Sequence, residues 1–189
     1  DDEEVQYLLE GKYGVIIDYS KAGSIEMVQG NTEGMDFLFP SSQMALELFK
    51  EKQTTSVKSD KILSSPIVLY SWDTVTDTLE KEGIVTKRNE SYYIHDFPKL
   101  IKLITDGSKW SDIGLQDLYG RILINTTDPT KSNSGNMFAG LLASMLNKGE
   151  IVDETTLEQV LPTLIKFYAK LGYMESSSSD LFEQYLKTG

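Results

Sequence analysis

Val15-Ile16-Ile17-Asp18-Tyr19-Ser20-Lys21-Ala22-Gly23-Ser24-Ile25-Glu26-Met27-Val28 changes character twice within fourteen residues. Residues 15–19 form an apolar, β-branched run behind Gly14 and read as a buried strand. Residues 20–24 are small and hydroxyl-rich, the composition of a turn. From Ile25 the apolar spacing lengthens through Met27 and Val28, which predicts a short helix. Strand, small turn and helix together are the building unit of α/β folds.

The unit recurs along the chain. Residues 35–39, closed by Pro40, lead through Ser41-Ser42 into a predicted helix over 43–52. Residues 67–72 form a strand after Pro66 and precede a short helix over 74–82. Residues 121–125 lead through a polar stretch holding Ser134-Gly135-Asn136 into an apolar helix over 137–146. The serine tract 176–179 opens a last helix over 181–186. Between these lie a predicted hairpin, 84–87 with 92–95, and an amphipathic helix over 97–105 ended by Gly107. An acidic start, Asp1-Asp2-Glu3-Glu4, suits the first turn of a helix carrying Val5, Leu8 and Leu9. Thr155 with Glu158 forms a capping box for a helix running through Tyr168, with Pro162 in an early turn and Gly172 at its close. The polar residues 52–60 read as a loop.

The chain has 189 residues, 40% hydrophobic and 25% charged, ordinary usage for a folded protein. Its net charge of −11 opposes an extended nucleic-acid or anionic-membrane surface. The absence of cysteine excludes thiol catalysis, disulfides and thiolate metal sites. His95 is the only histidine, beside Asp96, and there is no Gly-x-Ser-x-Gly elbow to supply a nucleophile. Neither a Walker A loop nor a Gly-x-Gly-x-x-Gly fingerprint is present. No calcium-loop spacing occurs either. The expectation is a binding protein, not an enzyme, with no cofactor and no metal.

In an α/β sheet, turns at the carboxyl ends of strands are where ligands bind. Unpaired N–H groups at a helix start, joined by Ser and Thr hydroxyls, hold an anion without a cationic side chain. The competing reading of each turn is simple helix capping, which uses the same residue types. Lys21 and Lys131 would add positive potential, and Tyr70 and Trp72 would supply either an aromatic wall or core packing.

The succession Tyr19 to Val28, Asp36-Phe37-Leu38-Phe39-Pro40-Ser41-Ser42, Pro66-Ile67-Val68-Leu69-Tyr70, and Asp128-Pro129-Thr130 before Ser134-Gly135-Asn136 resembles a known family. It is similar to the bacterial extracellular solute-binding proteins, nearest the molybdate- and sulfate-binding branch of the class II periplasmic-binding-protein superfold. The resemblance implies two α/β lobes around a cleft, with 67–72 as the first crossover strand. Residues 1–66 would then be part of lobe one, and 67–189 the crossover strand and lobe two. Ser20, Gly23 and Ser24 would face a ligand from lobe one, with Ser42, behind Ser41, near the cleft mouth. Ser134, Gly135, Asn136, Ser177 and Ser178 would face it from lobe two.

The family's first strand and hydroxyl-rich loop have no counterpart ahead of Glu3, and the family continues past Gly189. The chain is therefore expected to be the middle of a longer protein, with lobe two short of its return strands. The implied function is capture of a small oxyanion for the membrane permease of an ABC-type importer. The expected location is extracellular, as a periplasmic protein or a cell-surface lipoprotein. The alternative is a ligand-sensing or adhesion module on the same superfold.

Overall fold

A computed structural model describes residues 2–53 and 56–188. Asp1, and Thr54-Thr55 within the predicted loop, lie outside the described residues. The chain is a helix-rich mixture of α and β, divided into two compact units, Asp1–Lys52 and Gln53–Gly189.

The first unit holds α1 (Glu3–Tyr13), α2 (Ser24–Gln29) and α3 (Gln43–Lys52). Asp2 caps α1 by accepting from the N–H groups of Glu4 and Val5, and Gly14 closes it in the left-handed conformation at φ 65°. α2 packs on α3, burying Val28 and Ala45. The apolar residues of 15–19 and 35–39 are largely exposed, with Phe37 open to 91%.

The second unit contains α4 (Asp73–Lys81), β1 (Val85–Arg88), β2 (Ser91–Ile94) and α5 (Phe97–Asp106). After a short 3-10 turn, Trp110–Ile113, come α6 (Asn133–Leu146), α7 (Glu154–Leu171) and α8 (Ser178–Thr188). β1 and β2 pair antiparallel, with Val85 opposite Ile94 and Arg88 opposite Ser91. Their two-residue turn is possible because Asn89 adopts φ 55°, the sense that hairpin turns require. The core forms where α5 lays Phe97, Leu100, Ile101 and Ile104 against Phe167 of α7 and Phe138 and Leu142 of α6. Ile122 and Ile124 enter the same core from an extended segment, alternating with exposed Arg121, Leu123 and Asn125.

The predicted helices and hairpin are present, with ends shifted by a few residues. The predicted strands are different. Residues 15–19, 35–39 and 67–72 are extended or irregular and belong to no ladder, and 121–125 is joined only through the bridge of Arg121 to Lys109. Among the described residues, the one sheet is the two-stranded hairpin. Apolar alternation gives a segment strand character, but a ladder also needs a neighbouring backbone. The predicted capping box of α7 is also replaced. Asp153, not Thr155, is the N-cap, accepting from the N–H groups of Thr155 and Thr156 while its own N–H donates to Thr156 Oγ1.

The Thr155 hydroxyl, then the N–H and hydroxyl of Thr156, hold the Asp153 carboxyl at about 2, below its usual 3.8. A depressed carboxylate stabilises the fold above its unfolded value and loses that contribution as pH falls through the folded one. Acid unfolding followed by circular dichroism between about pH 4 and pH 2 should therefore be shallower in Asp153→Asn, which keeps the cap acceptor without the charge. The buried hydroxyl of Tyr168 has no hydrogen-bond partner among the described residues, and burial raises this phenol to about 12. Tyr168→Phe removes an unpaired polar atom and should stabilise by about 1 kcal/mol in urea denaturation. Phe167→Ala, at a fully buried position, should cost about 3–5 kcal/mol.

Candidate functional site

In the first unit, the hydroxyl-rich turns meet. Gly23 is the N-cap of α2, its carbonyl accepting from Met27 N–H at 2.8 Å. Ser24 is buried, its Oγ lying 2.9 Å from Ser41 Oγ and accepting from Ser41 N–H at 2.9 Å. Ser42 works as a cap, its Oγ accepting from Ala45 N–H at 3.3 Å, while Ser20 stays exposed on the extended segment. The structure thus joins Ser24 to Ser41 and gives Ser42 a structural task.

In the second unit, the extended segment ends at the start of α6. Thr126 and Thr127 are buried, and Thr127 Oγ1 donates to Ser132 Oγ at 2.9 Å. That bond occupies Ser132, the N-cap of α6, which makes no side-chain bond to the first turn. Gly135 lies directly on the end of the extended segment, where an added Cβ would come within 2.3 Å of the Thr127 carbonyl oxygen. Gly135, expected to face a ligand, has the chain's own backbone as its nearest neighbour. Asn136 Nδ2 donates to the Pro129 carbonyl at 3.4 Å, and Ser134 is exposed.

Asp128 shapes the intervening loop. Its Oδ1 accepts from the hydroxyl of Thr130 at 2.7 Å and from Thr130 N–H at 2.8 Å, and Lys131 stands 3.7 Å from Oδ2. These contacts, the Thr130 hydroxyl first, hold the carboxyl below its usual range. Asp128 N–H donates to the Glu175 carbonyl at 2.8 Å, which ties the approach to α6 to the approach to α8. At α8, Ser177 accepts from Leu181 N–H through its carbonyl and from Ser179 N–H through Oγ, and Ser178 is exposed. Ser177 is therefore a capping residue.

A pocket of about 160 Å³ lies between the extended segment, the end of α7 and α8. Asn125, Thr126, Glu175 and Gln184 give it polar walls, and Leu171, Met174 and Leu181 an apolar floor, with Tyr173 beside them. Gln184 Nε2 donates to Glu175 Oε1. None of the residues singled out from the sequence lines it, although Ser134, Gly135 and Asn136 open the helix that follows its wall, and Ser177 and Ser178 precede its α8 side. Asn125 was legible as a strand end. Glu175 and Gln184 carried no sequence signal, because they converge only through the loop between α7 and α8.

Along α8 the pocket gives way to aromatic rings. Trp72 stacks on Tyr185 at 5.2 Å and 29°, and Tyr70 meets Tyr185 at 5.0 Å and Phe182 edge-on at 5.1 Å. His95 is exposed, its N–H donating to the Ile84 carbonyl. Among the described residues, no group of three His, Cys, Asp or Glu is arranged to hold a metal ion, and no helix is long and apolar enough to cross a membrane. Compared with models of protein families, with curated proteins and with solved structures, the chain gives no match.

Gly135→Ala tests the contact beneath α6. Backbone must shift to admit the methyl group, so the variant should lose about 1–3 kcal/mol in urea denaturation. Gly140→Ala, mid-helix with open space around its Cβ position, should instead stabilise by about 1 kcal/mol.

Proposed function

We propose that the chain is a solute-binding protein of an ABC-type importer, of the two-lobe periplasmic-binding kind, which captures a small anion and acts outside the cell. The observation that carries this reading is the joining of two helix starts in the second unit. The Asp128–Glu175 backbone bond holds the approaches to α6 and α8 together, and α6 opens without a side-chain cap from Ser132. A rigid helix start of this sort offers N–H groups and the positive end of a dipole to an anion. Ser134, exposed on the first turn, would add its hydroxyl.

Capture needs no chemical step. A ligand that binds the closed form better than the open one shifts the balance toward closure, and the importer's permease would read that form. Ligand sensing or adhesion on the same superfold uses the identical grip, and differs in having no permease as partner.

Calorimetric titration with molybdate, tungstate, sulfate and phosphate should give heat with at least one. Heat from none of them, or from glucose alone, would remove the anion reading. Ser134→Asp places a carboxylate on the first turn of α6, where it suits the helix dipole but repels an anion. Anion affinity should fall by about tenfold or more, with no loss of thermal stability.

A further inference from the structure

We propose that Trp72 and Tyr185, with the pocket beside them, form a binding site for a single sugar ring. Trp72, Phe182 and Tyr70 are exposed to 49%, 43% and 42%, whereas the other tryptophan, Trp110, sits in the core at 9%. Aromatic rings gathered in contact yet left half open to water form the kind of apolar patch that marks a binding surface. The rings brace one another through the Trp72–Tyr185 stack and the Tyr70 contacts. A ledge ordered in advance lowers the entropy cost of binding.

Helix α8 joins this ledge to the pocket. Leu181, in the pocket floor, and Tyr185, in the ledge, are four residues apart and share one face of the helix. The polar lining is two amides, Asn125 and Gln184, the Thr126 hydroxyl and the Glu175 carboxylate, with no lysine or arginine. A bare anion seated there would face Glu175 without a compensating charge. A wholly apolar ligand would take water from the Asn125 amide and from the Glu175–Gln184 pair and put no hydrogen-bonding group in its place.

What satisfies both surfaces is a molecule with a flat apolar face and a rim of hydroxyl groups. Amides and carboxylates pair with such hydroxyls as donors and acceptors, and the ring face lies on the half-exposed Trp72 indole, which Tyr185, itself in contact with Trp72, Tyr70 and Phe182, holds in place. The pocket, about 160 Å³, is below the roughly 300–1,000 Å³ of drug-sized sites, which suits one ring rather than a chain of them. This site stands on the rings and the pocket lining and does not require the anion site at α6.

The test uses glucose, galactose and mannose as probes, with Trp72 as the reporter against the buried Trp110. At least one sugar should move the emission to the blue and protect Trp72 from acrylamide. Gln184→Ala should weaken that response by about tenfold, and Tyr185→Ala should abolish calorimetric heat from the same sugar while the chain stays folded by circular dichroism. No response to any of the three sugars overturns the proposal. So does protection of Trp72 that grows with protein concentration in the absence of sugar, since a second copy would then cover the ledge. Heat from inorganic phosphate without a sugar response leaves the anion site standing and removes this one. A sugar response without heat from molybdate, tungstate, sulfate or phosphate does the reverse.

Discussion

The start of α6 rests on the backbone of Thr127, and this is possible only because residue 135 carries no side chain. The constraint reaches in two directions. Inward, Thr126 and Thr127 are fixed because Ile122 and Ile124, just before them, are held in the core with Ile104 and Phe167. Outward, the loop that follows is fixed by the Asp128 turn, and through the Asp128–Glu175 bond it fixes the chain entering α8. Core packing is thereby converted into the position of two helix starts and of the pocket beside α8. Any method of loosening Gly135 from Thr127 would loosen all of these at once.

The two units are built with unequal resources. The second buries a cluster of aliphatic and aromatic side chains from four of its helices and the segment around Ile122. The first buries Val28 and Ala45 among its apolar side chains, while Val5, Leu8, Ile16, Phe37 and Phe39 stay exposed. Small cores supply little stability. The order of the first unit rests more on local devices, such as the Asp2 cap, the Gly14 stop and the Ser24–Ser41 hydrogen bonds.

Helices were legible in the sequence because their signals are local. Gly107 after Asp106 marks the end of α5 and closes it in the left-handed conformation, whereas the cap that Asp96 makes to Lys99 N–H at its start emerges only in the structure. The hairpin was legible for the same reason, its two halves being adjacent. The extended segments were not, since Ile67 to Tyr70 have strand composition but a strand's partner lies elsewhere in the chain and leaves no mark on its periodicity. The site divides along the same line. Ser134, Gly135 and Ser177 announce helix starts, and helix starts are what they occupy. Glu175, Gln184 and Tyr185 gain their meaning from folding, which carries the turn after α7 back to the end of the extended segment. The exposure of Trp72 was open in the sequence, and its stack on Tyr185 decides it in favour of a surface position.

Electrostatics gives the two ends of this region different characters. At α6 the groups on offer are backbone donors and hydroxyls, with Lys131 nearby and already paired to Asp128. In the pocket they are amides and a carboxylate. The central claim is that the joined helix starts in the second unit are a ligand surface and not merely well-capped ends. Amide-resolved NMR during titrations with molybdate, tungstate, sulfate and phosphate tests it most directly. The account predicts shifts concentrated at Ser134, Gly135 and their neighbours in the Asp128 loop. Shifts centred on the hairpin or spread evenly over exposed lysines, or no shifts at all, would contradict it.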